Sequence, residues 1–598
     1  MKTLEASNVR APRTQRRFLD NPVIAWVLLV AGILIFIRLA FRSWIPHDEG
    51  TLGQAATRVL GGEIPHIDFH DTYGGLQAYL HAGVFSVIGE SVRSLRVANI
   101  IVAAVAAHAS FTIVRRVQPI VVAASASVGA VLVGFAVYPA SMPSWWNAAL
   151  ALASVALVLR WLDSRNLFFL GAAGLLTGLS FLVKSTGAHI AAAIALYLVI
   201  LASSRSQRRW LMVGIGWAVV TSFGVLLSGA PSTQSLVGLL LPLAAVTFIG
   251  FRSGVVSSTD QDRAVPFRSV ILFSTFFLIP PMLYALPYVW SSNGDALVTG
   301  WFRLPQLRFA EAVWIMRFPW PPVMLLAAAA TLIFLVHRRM GPRWALGVFV
   351  ALEIFVAFVG WEGWWSIMVI MIVLAPLLVS AGIIRIGWSR PLGHEHLLCG
   401  LTLTAFAFIQ FPMSNAIYAL YLVPLIATVL GVWIVGSSRS KALACILLLT
   451  SSIVAIQLER DYQYIANPHN EPVAMVSLDT KRGGIEIPES AAYYIPLVNH
   501  LEHHEGSPVY AGPDSPEVYF LTGTSNPTPV FFDFLADEWS IDDLSGAVQR
   551  RQVEGVVVNG DPDFSSPLPP SLLEVVGEQF PNKTSFGPFD VYEHRSSR

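Results

Sequence analysis

Long apolar runs recur along this chain, and they limit what it can fold into more than any other feature. Runs of about 17–22 residues fit the hydrocarbon thickness of a bilayer, and the first extends from about Pro22 to Ala40. The chain has 598 residues, of which 54% are hydrophobic and 13% are charged, whereas soluble domains carry about 25% charged residues. We therefore predict a polytopic α-helical membrane protein with about 13–15 transmembrane helices.

Basic residues predict how these helices are oriented. The first run is preceded by Lys2, Arg10, Arg13, Arg16 and Arg17. This excess places residues 1–22 in the cytoplasm, as a tail of a multi-pass protein of the cell membrane. Further basic residues fall on every second connection, so the other side receives the loop 42–96 and the chain after 457. The net charge of +1 predicts no bulk attraction to nucleic acid.

A change in composition near residue 459 separates a transmembrane domain, 23–458, from a polar segment, 459–598. Strand-like runs in this segment are Pro508–Ala511, Pro529–Phe532, Gly555–Val558 and Phe589–Tyr592. Helix-like stretches lie at about 489–503, 541–551 and 570–579, and a shorter one follows Pro516. The alternation predicts a small extracytoplasmic α/β domain. It has no glycine-rich phosphate loop, which argues against a nucleotide site.

The loop after the first run gathers acids and imidazoles within otherwise apolar sequence. They are His47, Asp48, Glu49, Glu63, His66, Asp68, His70, Asp71 and His81. Asp48 is predicted to cap a helix that ends at Gly61-Gly62, and Asp71 to cap one that ends at Gly89. Capping alone is the common role of an isolated Asp before a helix, but a dense cluster at a membrane surface indicates catalysis. A carboxylate there can accept a proton, and a lipid-linked donor would place its phosphate at the same depth.

Two motifs in this region resemble one family of membrane enzymes. The loop reads DEG, short helix, GG, PxxDFxD and an amphipathic helix ending in Gly, and a second motif, GLLTGLSFLVKSTG, spans Gly174–Gly187. This order resembles the membrane glycosyltransferases of the GT-C fold, in the bacterial branch related to protein O-mannosyltransferases and lipid A aminoarabinose transferases. The resemblance implies an inverting transferase that moves a sugar from a polyprenyl-phosphate carrier to an envelope glycan, lipid or protein.

The resemblance also assigns roles to individual residues. Asp48 matches the first-loop acid and is the candidate general base, with Glu49 as its usual neighbour. Asp71 matches the second loop acid, which positions donor or acceptor, and Lys184 matches a lysine that contacts phosphate. Within the same loop, Asp68, His70 and Tyr73 are further candidates for substrate binding.

This chain departs from the family pattern in two places. The KPP or PPG that follows the second acid in relatives is here Thr72–Gly75, which puts the acceptor contact in question. The acid that many relatives carry at the start of the fourth crossing is absent from Pro143–Asn147, which reads PSWWN. A metal site that depends on that acid is not expected, although carboxylates suit Mg²⁺ or Mn²⁺ and the metal stays unknown.

Several charged residues have two interpretations that the sequence leaves open. A lysine such as Lys184 is costly in an apolar span. It is either paired for function, or it extends its amine to the membrane interface. Arg303 and Arg308 could hold a lipid phosphate or anchor the protein to lipid headgroups. The pair His503-His504 is interpreted as solvated surface.

Two functions other than transfer are compatible with the sequence. A transporter or flippase for lipid-linked sugars is one, although such proteins often show internal repeats and mid-membrane helix breaks, and no repeat is evident here. A non-catalytic envelope assembly protein is the other. The sequence does not identify the sugar or the acceptor.

Overall fold

The computed structural model describes most of the chain. It covers residues 18–203 except Thr72, 239–253, 265–304, 361–434 except 390 and 411–415, 474–531 and 552–594 except 563–564, with isolated positions between. In the first half the helices are α1 (Pro22–Ala40), α2 (Pro46–Leu60), α3 (Leu76–Ile88), α4 (Val92–Arg115), α5 (Ile120–Ala130), α6 (Pro143–Ser164), α7 (Leu167–Val183) and α8 (Gly187–Ala202). They are followed by α9 (Leu241–Ser253), α10 (Arg268–Trp290), α11 (Gly294–Val298), α12 (Trp361–Ser389), α13 (His394–Phe406), α14 (Ala416–Leu420) and α15 (Val423–Trp433). Single π-helical turns follow α5 and α11, at Val131–Phe135 and Thr299–Arg303.

The apolar helices make this chain a membrane protein. Among the described residues, α1, α4, α6 and α10 are long and apolar enough to cross a bilayer, and seven further apolar helices are shorter. Of the 18-residue apolar stretch of each helix, 61% is buried in the protein in α6, against 28% in α1 and 17% in α10. Thus α6 lies inside the bundle, while α1 and α10 present most of their surface to lipid. The sequence also has apolar runs at 210–229, 320–336 and 344–360 that predict further crossings, and apart from Gly214 these lie outside the described residues.

The glycines of the GLLTGLSFLVKSTG motif explain how α7 packs. A Cβ atom at Gly174 would lie 2.6 Å from the carbonyl oxygen of Phe273, and one at Gly178 would lie 2.4 Å from that of Phe277. Both contacts are shorter than any real Cβ tolerates, so the two glycines allow α7 and α10 to approach backbone to backbone, as small residues do between membrane helices. The motif therefore fixes the position of the C-terminal end of α7, where Lys184 lies.

The C-terminal region is an α/β structure, as predicted. Its helices are α16 (Tyr494–Leu501), α17 (Pro516–Thr522) and α18 (Pro570–Gln579), and its strands are β1 (Met475–Ser477), β2 (Glu486–Pro488), β3 (Val509–Gly512), β4 (Gly555–Asn559), β5 (Asn582–Phe586) and β6 (Phe589–Glu593). β1 and β2 form an antiparallel pair, and the other four form a sheet in the order β3-β4-β6-β5. Only β3 and β4 in that sheet are parallel.

Most of the predicted strands and helices of this region are confirmed, and one strand is wrong. Residues 529–531 form an irregular loop, and Phe532 lies outside the described residues. The prediction missed β5, because its sequence NKTSF is polar and largely exposed and lacks the alternation that marks a half-buried strand. The predicted helix at 541–551 also lies mostly outside the described residues.

The C-terminal region packs directly on the loop that follows α1. A Cβ atom at Gly50 of α2 would lie 2.2 Å from the backbone nitrogen of Glu517 in α17, so these helices touch through their backbones. The rings of Phe85 in α3 and Phe520 in α17 are stacked, 5.8 Å between centroids. The backbone N–H of Val92 donates to the carbonyl of Arg482. The first loop is therefore enclosed between the helical bundle and the C-terminal region.

Candidate active site at the end of the helical bundle

Helix α2 begins earlier than predicted. Its N-cap is Ile45 and Pro46 occupies the first helical position, where the missing N–H and fixed φ of proline are tolerated. Asp48 therefore lies in the first turn and does not cap the helix, which corrects the sequence interpretation. Its charge still benefits from the helix N-terminus. The predicted end at Gly61-Gly62 is confirmed, since the helix stops at Leu60 and Gly62 has a φ of +92°.

The carboxylate of Asp48 accepts a hydrogen bond from the hydroxyl of Tyr138. Tyr138 is buried in the connection between α5 and α6. Burial, together with the negative charge of Asp48, holds the pKa of Tyr138 well above its usual range, so the phenol stays protonated and remains a donor. The Nε2 atom of His47 lies 3.9 Å from Asp48, whose side chain is 19% exposed. Asp48 is thus held in place on one side and accessible on the other.

Glu49 has a different environment from its neighbour. Its carboxylate forms a fully buried ion pair with Arg96 of α4, and both side chains are 0% exposed. One of the two hydrogen bonds in this pair, from Nη2 of Arg96, measures 2.6 Å. Arg96 also donates to the carbonyl oxygens of Ala40, Arg42 and Ser43. Glu49 therefore ties α2 to the ends of α1 and α4, and its oxygens are turned away from Asp48's open side.

Lys184 lies at the break between α7 and α8. Its amine donates to Ser144 Oγ at 3.0 Å and lies 4.9 Å from the ring centre of Tyr418 and 5.7 Å from that of Tyr73. Asn147 of the PSWWN segment donates to the carbonyl of Lys184 at 3.3 Å. The lysine is half-buried and is held by a hydroxyl and aromatic faces, an arrangement that stabilises a cation.

Four tyrosines, Tyr73, Tyr138, Tyr418 and Tyr421, connect Asp48 to Lys184, and we call them the tyrosine cluster. The rings of Tyr138 and Tyr421 are 6.4 Å apart, and those of Tyr418 and Tyr421 are 6.0 Å apart. Sequence reasoning identified Tyr73 but missed the other three. A signal existed, because each of the three lies at the predicted exterior end of an apolar run, at 119–138 for Tyr138 and at 416–435 for Tyr418 and Tyr421.

The second loop acid shapes the loop and does not cap a helix. Asp71 is buried and its Oδ1 accepts from the backbone N–H of Tyr73 at 2.8 Å. Helix α3 instead begins after Gly75, which has a φ of +88° and no side chain to form a capping bond. The prediction that Asp71 caps α3 is therefore wrong, while the predicted end at Gly89 is confirmed. Asp71 positions the backbone that carries Tyr73.

Asp68 and His70 also have structural contacts. Asp68 Oδ2 accepts from the backbone N–H of Ile64 at 2.7 Å, which closes the turn before it. The backbone N–H of His70 donates to the carbonyl of Pro529 at 2.7 Å, which joins the loop to the C-terminal region. Neither contact brings these side chains to the tyrosine cluster.

Aromatic residues of α10 and the π-helical turn after α11 support the same loop. Tyr288 donates to the carbonyl of Pro65 at 2.8 Å, and Trp301 donates to that of Gly74 at 3.2 Å. His66 is buried beneath Gly300, and burial lowers the pKa of His66, which keeps its imidazole neutral. Arg303 is exposed near this face, and Arg308 lies outside the described residues.

The first loop does not gather a metal-ligand set in the part of the chain that the structure describes. The one group there of three or more His, Cys, Asp or Glu side chains with ligand atoms within 4.8 Å of one another is elsewhere, in the C-terminal region. Asp48 is bonded to a phenol, and Asn147 stands where many relatives carry an acid. We therefore derive no chemical step through a metal at this site.

Comparison with known proteins gives only distant structural neighbours. No protein-family model and no curated protein matches the sequence. The structure is similar to the crystal structure of the Archaeoglobus fulgidus oligosaccharyltransferase in the apo form, with a TM-score of 0.43, 13% sequence identity and coverage of 90% of this chain and 70% of that chain. The form tethered with an acceptor peptide containing the NVT sequon gives 0.44, 13%, 91% and 70%.

A third neighbour is the archaeal oligosaccharyltransferase AglB from Archaeoglobus fulgidus in complex with an inhibitory peptide and a dolichol-phosphate. Its TM-score is 0.43, with 12% sequence identity and coverage of 89% of this chain and 69% of that chain. With identities and TM-scores this low, the roles of residues in this chain have to come from its own contacts.

Proposed function

We propose that this protein is an integral membrane glycosyltransferase of the GT-C type. It would transfer a sugar from a polyprenyl-phosphate-linked donor to an acceptor of the cell envelope, with inversion at the anomeric carbon, on the extracytoplasmic side of the cell membrane. The support is the motif order in the first loop and in Gly174–Gly187, together with the placement of Asp48 and Lys184 on one tyrosine cluster.

The proposed reaction needs a proton acceptor and a cation at separate points of one site. A hydroxyl oxygen of the acceptor attacks the anomeric carbon, and its proton passes to Asp48. The bond between that carbon and the phosphate oxygen breaks, and the electron pair leaves with the phosphate. Lys184 stabilises the negative charge that develops there, because a preorganised cation in a partly desolvated site acts more strongly than one in water. Tyr73 and Tyr418, the two partly exposed members of the tyrosine cluster, offer apolar faces and hydroxyls to the sugar.

The other candidate residues receive supporting roles in this proposal. Glu49, in its buried pair with Arg96, positions α2 and therefore Asp48. Asp71, Asp68 and His70 shape the loop that presents Tyr73. Arg303 and Arg308 are proposed as secondary contacts for the donor phosphate, since arginine binds phosphate through two hydrogen bonds. A divalent cation such as Mg²⁺ or Mn²⁺ is not required by this scheme.

The function is tested by turnover of defined donors. The full chain in lipid nanodiscs is incubated with radiolabelled polyprenyl-phosphate sugars, with a crude envelope extract as acceptor. We expect transfer from one donor, a loss of at least about 100-fold in Asp48→Asn, because general base catalysis contributes 10²–10⁴-fold, and a raised KM for donor in Lys184→Met. Product counts per minute in the lipid and polymer fractions are the measurement.

A matched control keeps the result interpretable. Asp295 is an exposed acid that also lies in the first turn of a helix, so Asp295→Asn should retain full turnover. Retained activity in Asp48→Asn would contradict the proposal. Tight binding of a donor without turnover, or movement of the donor across the bilayer, would support a carrier instead. Harmless loop substitutions, together with loss of envelope assembly on removal of 459–598, would support an assembly protein.

A further inference from the structure

Three histidines of the C-terminal region surround one carboxylate. His500 lies in the last turn of α16, His503 and His504 lie in the following 3₁₀ turn, and Glu593 ends β6. We call these four residues the histidine cluster. The sequence interpretation of His503-His504 as solvated surface fits His503, which is 61% exposed, but not His504, which is 12% exposed.

All three rings direct the same nitrogen to the carboxylate. His500 Nε2 lies 2.9 Å from Glu593 Oε2. His503 Nε2 and His504 Nε2 lie 3.4 Å and 3.0 Å from Glu593 Oε1. Ligand atoms on a tetrahedral zinc ion with bonds of about 2.0–2.1 Å would be separated by roughly 3.3 Å. One ligand atom from each of His503, His504 and Glu593 lies within 4.8 Å of the other two, whereas His500 faces the other carboxylate oxygen. Two imidazoles and one carboxylate are therefore close enough to bind a single ion.

A second carboxylate lies behind one of the rings. The Nδ1 atom of His504 is 3.5 Å from Glu554 Oε2, and Glu554 directly precedes β4. Histidines that bind metals through one nitrogen usually donate from the other to a carboxylate, which fixes the ring and raises its basicity. Glu554 supplies this partner.

We propose that the histidine cluster is a binding site for a divalent transition metal of the zinc type, separate from the candidate active site. The ligands would be His503, His504 and Glu593, with His500 beside them on the other carboxylate oxygen. Two imidazoles and one carboxylate suit Zn²⁺ and Co²⁺ better than Mg²⁺ or Ca²⁺, which take oxygen ligands. The bound ion would link the 3₁₀ turn after α16 to β6, and so stabilise the four-stranded sheet of the C-terminal region. This proposal does not depend on the proposed transferase function.

The test uses the full chain in nanodiscs, purified through a tag without histidine and stripped with a chelator. Titration with ZnCl₂ is followed by calorimetry, and titration with CoCl₂ by visible absorption, since tetrahedral Co²⁺ has characteristic bands. We expect about one ion per chain, and about tenfold or greater weakening in His503→Asn and in Glu593→Gln. The midpoint of thermal unfolding should rise with zinc in the wild type and not in Glu593→Gln.

Two features of the chain keep this test decisive. His503 is exposed, so its replacement should not disturb the fold, and circular dichroism checks that assumption for both variants. His594 follows Glu593 directly and packs against Phe580, 4.4 Å between ring centres, so His594→Asn is a matched control that should bind zinc as the wild type does. Absence of binding in the wild type, or equal binding in the wild type, His503→Asn and Glu593→Gln, would overturn the proposal.

Discussion

Two adjacent carboxylates, Asp48 and Glu49, lie in one helical turn and have opposite environments. Consecutive residues of a helix do not face the same side, so Asp48 points to Tyr138 while Glu49 points to Arg96. Asp48 keeps an accessible side, whereas the carboxylate of Glu49 is fully engaged in a buried ion pair. The pair of acids that is prominent in the sequence is therefore one candidate base and one anchor.

The anchor can be tested by breaking it and by replacing it. Glu49→Gln would leave the guanidinium of Arg96 buried without its counter-charge, which costs about 3–5 kcal/mol. We expect a lower midpoint of thermal unfolding in detergent, measured by near-UV circular dichroism. The double variant Glu49→Leu with Arg96→Met should recover only part of this loss. A packed apolar pair can replace a buried ion pair, but the carbonyls of Ala40, Arg42 and Ser43 would lose Arg96 as their donor. A single variant as stable as the wild type would contradict the anchoring role.

Among the helices, α7 and α10 show how a sequence motif sets the geometry of the site. Gly174 and Gly178 are one turn apart, and both lie on the backbone of α10. Helix α7 ends at Val183, and the following Lys184 reaches the tyrosine cluster. The position of the amine thus depends on the distance between two helices.

Enlarging one glycine should move the lysine. In Gly178→Ala the new Cβ would meet the carbonyl of Phe277 at 2.4 Å, so the helices must separate, at a cost of about 1–3 kcal/mol. We expect a raised KM for donor and a lower thermal midpoint. Gly83→Ala is the matched control, because Gly83 lies in α3 with no atom within 4 Å of the added Cβ, and alanine is the better helix former. Equal behaviour of the two variants would refute the packing role of Gly178.

At the scale of the whole molecule, the first loop is held between two bodies. Arg58 of α2 is central to this arrangement, since it donates to Glu63, to the carbonyl of Asp68 and to the carbonyl of Thr528 in the C-terminal region. Its guanidinium also lies 5.0 Å from the ring centre of Phe69. The C-terminal region therefore contributes to the shape of the loop as well as covering it.

Removal of this contact should loosen the loop without unfolding the protein. Arg58→Met keeps the apolar part of the side chain and removes three hydrogen bonds. A hydrogen bond that involves a charged group contributes about 1.5–3 kcal/mol to stability. We expect at least about tenfold faster amide hydrogen exchange over 63–71, equivalent to about 1.4 kcal/mol, measured by mass spectrometry. Arg38→Met is the control, because the pair of Arg38 with Glu486 is exposed and should contribute about 0–1 kcal/mol. Unchanged exchange in Arg58→Met would exclude this role.

The sequence predicted elements better than contacts. The ends of α2 at Gly61-Gly62 and of α3 at Gly89 were predictable, because Gly62 and Gly89 adopt the positive φ that glycine tolerates at such positions. The starts of the same helices were not, since Ile45 and Gly75 make no side-chain capping bond and a better capping residue stood nearby in each case.

The partners of the site could not be predicted, for a physical reason. Tyr138 reaches Asp48, and Tyr421 reaches Tyr138, across connections of many residues, and periodicity carries no information about such pairing. Asp48 and Lys184 were identifiable because a charge among apolar residues needs a partner. The identity of that partner depends on helix packing, which the sequence specifies only through features such as Gly178.

The ion pair of Arg96 has a consequence for which lipid the site can accept. Arg96 lies near the start of α4, donates to the carbonyl oxygen of Ala40 at the end of α1 and pairs with Glu49, the residue next to Asp48. Asp48 is therefore set at a constant height above two helices that cross the bilayer. If a lipid-linked sugar is the donor, the fixed height of Asp48 selects among carriers by the depth at which they hold the sugar. A carrier that holds the sugar higher or lower would place its reacting carbon out of reach of the acid.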